Sequence, residues 1–183
     1  MSKDDRAHWD PRHADDGIAP LHDPPPPPPV FGHVDHLFPI TGDALELACG
    51  RGRGGIWLAS RGMKYLGVDV SPVAIDLATR LAEASGYAGR CRFAVWDLDD
   101  GLPPGPQVEL VLCHLFRDPR LDEALVSRMK PGGLLAVAVL SEVGARPGRF
   151  RARPGELREA FGHLEVLDEG EADGMARILV RRD

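Results

Sequence analysis

From residue 43 onward, short apolar runs alternate with amphipathic stretches. The runs at 44–48, 65–70, 91–97, 108–114, 134–140, 163–169 and 175–181 have the length and β-branched or aliphatic character of strands. Between them, 54–62, 71–86, 118–133 and 153–162 carry apolar residues at helical spacing. In the second of these Ser71 is placed to cap, Pro72 takes the first helical position, Val73, Ile75, Leu77, Ala78 and Leu81 share one broad face, and Gly86 ends the run. Asp118 is placed to cap the third. Strand-helix alternation predicts a doubly wound α/β sheet in three αβα layers, with ligands received at the carboxyl ends of the strands. The last two strands have no helix between them, so they predict an antiparallel hairpin with 168–174 as its turn, making a mixed, seven-stranded sheet.

Residues 1–40 read differently. They hold the proline run 24–29, five of the seven histidines (His8, His13, His22, His33 and His36) and little periodicity. Consecutive prolines extend as polyproline II because each fixes its own φ and lacks a donor. This segment is therefore read as a spacer or as a strap across a pocket, and 41–183 as the folded domain. Trp9, set among charged residues in "HWDPRH", favours the strap.

A length of 183 residues suits one compact core. The net charge of −6 argues against a dedicated nucleic-acid binder, although 146–158 contains five arginines. Cys49, Cys91 and Cys113 have no paired spacing and read as buried free thiols of a reducing, cytoplasmic compartment. The longest apolar run, 134–140, is too short to span a bilayer. The histidines of the leader lack companions at metal-ligand spacing, so no metal is expected.

The chemistry is concentrated in "LELACGRGRGG", 45–55. A strand-loop-helix joint built of glycine offers backbone donors and close approach. It matches a dinucleotide-type G-x-G-x-x-G (Gly50, Gly52, Gly55) and also the looser loop that holds an adenosyl sulfonium. Asp69, ending the second strand, suits the ribose of either ligand. Glu46 inside the first strand would repel a pyrophosphate but face a cationic or donating end, and Asp97 after the third strand can accept from an adenine amino group. Three acids in successive strand-helix units suit a ligand cationic at one end and adenosyl at the other.

Taken in order, "ALELACGRGRGGIWLASRG", "YLGVDVSPVAIDLA", "RFAVWDLDDGLP" and "RMKPGGLLAVAV" resemble the successive motifs of the class I S-adenosylmethionine-dependent methyltransferases, over 43–140 and in outline through the hairpin. The resemblance implies a Rossmann-like fold and S-adenosylmethionine as cofactor, with S-adenosylhomocysteine as product. It places Ala48, Cys49, Gly50 and Gly52 against the methionine part, Asp69 and Val70 at the ribose, and Asp97 with Leu98 at adenine. Ala48 stands where many members carry glycine, and a slightly tighter turn with retained binding is expected. "HWDPRH", the proline run and 149–171 are similar to the small tellurite-resistance and thiopurine-type members, in which an aromatic-acid segment near the amino terminus helps close the site. Here His13 replaces the usual tyrosine.

Methyl transfer is an in-line displacement that a protein promotes mainly by alignment and exclusion of water. His114, ending the fourth strand, is the candidate base or orienting donor. Trp9 is expected to shield the sulfonium, and Arg12 with His13 to complete the lid and hold an anionic group. Cys113 beside the mouth is a further candidate contact, and strand-end packing is the alternative for it and for Cys49. Arg117 and Arg149 lie near the same mouth. The expected acceptor is a small molecule, with a thiol or chalcogen oxyanion among the candidates, and the chain is expected to act as monomer or homodimer. A non-catalytic adenosyl-binding module, a nicotinamide oxidoreductase and an RNA methyltransferase are the rival readings.

Overall fold

A computed structural model of the chain describes residue 10, residues 25–148 and residues 151–183. β1 (Asp43–Leu47), β2 (Lys64–Asp69), β3 (Cys91–Val95), β4 (Val108–His114), β5 (Met129–Ser141), β6 (Arg151–Ala152), β7 (Glu165–Ala172) and β8 (Met175–Arg181) form one sheet. Its order is β3-β2-β1-β4-β5-β8-β7, with β6 paired to the far end of β5. The first five strands are parallel and β8 runs antiparallel between β5 and β7. The expected α/β, doubly wound, Rossmann-like mixed sheet with an antiparallel hairpin is thus what the chain forms, with β6 as one short strand more than the apolar pattern displays.

Among the described residues four helices flank it: α1 (Arg53–Arg61), α2 (Pro72–Ala84), α3 (Asp122–Arg128) and α4 (Glu156–Phe161). One apolar cluster joins Trp57 and Leu58 of α1 and Ala82 of α2 to Tyr65, Leu110, Leu112 and Ala136 on one sheet face. The other joins Leu125 of α3 and Leu157 and Phe161 of α4 to Leu45, Val111, Val137 and Ile178 on the opposite face. Parallel strands are covered on both faces, which explains why their sequences read as continuous apolar runs.

Where sequence and structure differ, the cause is local. β5 begins at Met129, because Lys130–Gly133 bulge out of the ladder: Val108 pairs with Met129 and Leu110 already with Leu134. A proline is tolerated there since a bulge asks for no ladder donor. The hairpin turn is only Asp173–Gly174, both at positive φ (52° and 78°), with Ala172 paired to Met175; an Asp-Gly pair favours such a two-residue turn. The 3₁₀ segment Pro29–Leu37 follows the proline run, and Phe31, Val34 and Phe38 enter the cluster under α1. Phe38 meets Trp57 edge-on at 5.1 Å. Arg61 fastens the same segment by hydrogen bonds to Asp35 and to the Phe38 carbonyl.

Candidate active site

The bend after β1 is built from left-handed residues: Ala48 (φ 53°), Gly50 (51°) and Gly52 (73°). Ala48 shows why glycine is favoured at its position, because an alanine held there costs about 1–2 kcal/mol. The bend is tied to β2 through Cys49 N–H to the Val68 carbonyl at 3.0 Å. Among the described residues no side chain caps the first turn of α1, whose N-cap is Gly52.

The glycines of this bend serve the protein's own interior. A Cβ on Gly52 would lie 2.7 Å from the Phe93 ring, one on Gly54 2.6 Å from the Glu46 carboxylate, and one on Gly55 2.5 Å from the Tyr65 ring. Close approach is thus required from beneath, by Phe93, Glu46 and Tyr65. This answers part of what the glycine spacing leaves open.

Glu46, on the penultimate position of β1, is 4% exposed, and the Tyr65 hydroxyl donates to its Oε2 at 2.5 Å. Burial raises its pKa to about 8, only partly opposed by the Tyr65 hydrogen bond and reinforced by Asp69. The acid is therefore mainly neutral at pH 7, whereas the sequence suggested a fixed anion; desolvation is the reason.

Asp69, ending β2, is also 4% exposed. Its Oδ2 accepts Gly50 N–H at 2.9 Å and its Oδ1 accepts Ser71 N–H at 3.0 Å. A carboxylate has about four acceptor positions, so two are left for ribose hydroxyls. Gly50 N–H, which a pyrophosphate would need, is already given to an anion. This donor set suits the adenosyl ligand and disfavours the dinucleotide. Asp97 Oδ1 accepts Asp99 N–H at 3.0 Å and caps the turn Leu98–Asp100. Val70 and Leu98 are buried, and so are Cys49 and Cys113. Burial pushes both of those thiols upward. Cys113 sits in the core cluster beside Val137 and Phe161, the packing alternative its position allows.

Ser71 caps α2, its oxygen accepting Ala74 N–H at 3.1 Å, and its hydroxyl donates to Asp10. The centre of "HWDPRH" therefore reaches the residue two beyond Asp69. Trp9, Arg12 and His13 lie outside the described residues, as does Arg149.

His114 ends β4, opposite Ala138 of β5. It is half-buried, burial lowers its pKa, and no described residue hydrogen-bonds its ring. Leu115 follows at φ 61° and 57% exposed, turning the chain off the sheet. Arg117 is spent internally. Its side chain is 8% exposed and bonds Asp122 and, at 2.8 Å, Glu156 of α4, with Phe161 under the guanidinium at 5.7 Å. Burial works against its charge, but Asp122 and Glu156 prevail and hold its pKa above the usual value.

Tyr65, Asp10 and the Arg117 pairs were not legible as site features in sequence. For Tyr65 one signal exists, since Tyr65, Gly67 and Asp69 share one face of β2 and glycines cluster in sequence just after Glu46 of β1. Among the described residues no group of His, Cys, Asp and Glu could hold a metal, and no helix is long and apolar enough to cross a membrane.

A family model described as "Methyltransferase domain" matches residues 44–133, which spans the bend, Asp69, Asp97 and His114. This match and the fold together support a class I S-adenosylmethionine-dependent methyltransferase. The cofactor of this family is S-adenosylmethionine. The ribosomal RNA small subunit methyltransferase C of Alcanivorax borkumensis is 28% identical over 144 residues, 73% of this chain and 41% of that protein. The chain thus spans less than half of that relative. TehB from Haemophilus influenzae superposes with a TM-score of 0.69 at 18% identity, covering 78% of this chain and 58% of that one. An S-adenosylmethionine-dependent methyltransferase from Clostridium acetobutylicum does so with 0.65 at 17% identity, covering 96% and 97%.

Proposed function

We propose that the chain transfers a methyl group from S-adenosylmethionine to a small molecule, with thiols and chalcogen oxyanions as the first classes to try. The observation that carries the choice of acceptor is the fate of three of the five arginines at 146–158. Arg151 donates to the Ser141 and Gly174 carbonyls, Arg153 faces Glu156 and Glu159, and Arg158 pairs with Glu169. Carboxylates beside Arg153 and Arg158 offset two of the five arginine charges, which leaves a polynucleotide less to hold. Pro25 and Pro28 of the proline run are buried, so the run is a poor ligand for a partner's aromatic groove, which weakens the reading as a non-catalytic module.

The bound cofactor would supply an electrophilic methyl on a sulfonium leaving group. In this reading the bend at Ala48–Gly52 receives the methionine part, Asp69 with Val70 holds the ribose, and Asp97 with Leu98 lines the adenine. His114, neutral at pH 7, orients the acceptor or takes its proton. Trp9, Arg12 and His13 complete the cover, a role to which the Asp10–Ser71 contact lends support. Alignment and exclusion of water contribute about 7–11 kcal/mol without any covalent residue. The test is release of S-adenosylhomocysteine with panels of thiols, oxyanions and amines beside an rRNA fragment. Turnover with a small acceptor is expected; turnover with RNA alone would refute the choice.

A further inference from the structure

Beneath the bend, three glycines make room for one buried hydrogen bond. A Cβ on Gly54 would press on the Glu46 carboxylate, one on Gly55 on the Tyr65 ring at 2.5 Å, and one on Gly67 on the Tyr65 hydroxyl, also at 2.5 Å. Both partners are sealed, Glu46 at 4% and Tyr65 at 2% exposure, and the donated hydrogen bond measures 2.5 Å. An acid and a phenol at the centre of such clearance sit directly under the backbone that receives the methionine part of the ligand.

We propose that Tyr65 is a positioning residue that fixes Glu46 as a proton-linked acid, so that a proton leaves the Glu46 carboxyl for solvent when S-adenosylmethionine, a net cation, settles on the bend. This rests on the assignment of that cofactor to the bend. The step is a simple ionisation: the carboxyl O–H bond breaks, the proton passes to buffer, and the carboxylate keeps the electron pair and the hydrogen bond from Tyr65. A nearby positive charge favours the ionised carboxyl, while burial keeps it protonated beforehand.

The groups facing Glu46 leave it the neutral range. Tyr65 and Asp69 come from β2, Cys49 from the bend and Cys113 from β4, and on the α1 side Gly54 carries no side chain. The thiols of Cys49 and Cys113 and the phenol of Tyr65 are all displaced upward by burial, away from pH 6–8.5. Asp69 holds two backbone N–H groups.

The experiment is calorimetric titration of the full chain with S-adenosylmethionine, in buffers of different ionisation heat and at several pH values between 6 and 8.5. Wild type is expected to release about half a proton or more near pH 7, and its affinity to rise roughly tenfold or more across the range. Glu46→Gln, isosteric and unable to ionise, should bind with neither effect. Tyr65→Phe removes a donor that favours the carboxylate, so its affinity curve should move to higher pH and recover there, which a merely structural defect would not do. Equal proton counts in wild type and Glu46→Gln, with both binding, would overturn the proton link alone. An unmoved pH curve in folded Tyr65→Phe would overturn the role of Tyr65. No binding by folded wild type at any pH would overturn the cofactor assignment as well.

Discussion

Asp69 closes the bend by accepting Gly50 N–H at 2.9 Å, so the acid that ends β2 sets the shape of the loop that ends β1. Its second oxygen takes Ser71 N–H at 3.0 Å and fixes the start of α2. Asp69→Ala orphans the buried Ser71 N–H, worth about 1–3 kcal/mol when left unpaired, and the half-buried Gly50 N–H as well. The expected result is a clear loss of stability in urea unfolding and a fall in cofactor affinity of at least about tenfold in equilibrium titration. An unchanged affinity would remove Asp69 from the site.

Gly54 inverts an ordinary helix rule. Glycine to alanine inside a helix normally stabilises by about 0.8–1 kcal/mol. At Gly54 the new methyl would meet the pinned Glu46 carboxylate at 2.6 Å, so Gly54→Ala is expected to destabilise by about 1–3 kcal/mol. Gly32, where an added Cβ would meet nothing within 4 Å, is the control and should tolerate alanine. Paired unfolding curves decide between them.

The buried carboxyl of Glu46 also predicts how stability depends on pH. Folding raises its pKa from 4.5 to about 8, so the native chain keeps a proton that the unfolded chain sheds. Its contribution is complete below about pH 4.5 and is lost as pH rises through 8, at no more than about 1.4 kcal/mol per pH unit. Glu46→Gln should flatten this slope in urea unfolding between pH 5 and 8.5. An equal slope in both proteins would show that another group carries it.

Much of this was written in the sequence, for identifiable reasons. Both-faced burial turned the parallel strands into apolar runs that could be read directly, and Ser71-Pro72 announced α2 with a cap that the structure retains. β6 was hidden because two residues, Arg151 and Ala152, carry no periodicity. The pairing of Arg117 with Asp122 and Glu156 joins residues as far as 39 apart, which no local pattern records. Glu46 was recognisable as an acid near the bend, but its protonation depends on the Tyr65 phenol and on burial, which only the folded chain supplies. The segment around Trp9, Arg12 and His13 lies outside the described residues except for Asp10.

His114 supplies a prediction about turnover. Burial lowers its pKa, so a wild-type rate limited by His114 as base should rise with pH and reach its plateau at a lower pH than an exposed imidazole would give. His114→Ala is expected to keep cofactor affinity and lose about 10²–10⁴-fold in kcat for a protic acceptor, the usual range for a lost general base. Little change with a thiolate acceptor would be consistent, since a soft anion needs no base. An equal loss of cofactor affinity would place His114 on the other side of the site.

The cofactor assignment is tested most directly by titrating the folded chain with S-adenosylmethionine and, in parallel, with a nicotinamide dinucleotide. Saturable one-to-one binding of the sulfonium nucleoside, weakened in Asp69→Ala and with no dinucleotide affinity, is the predicted result. Tight dinucleotide binding, or a folded chain that takes up neither ligand, would contradict it.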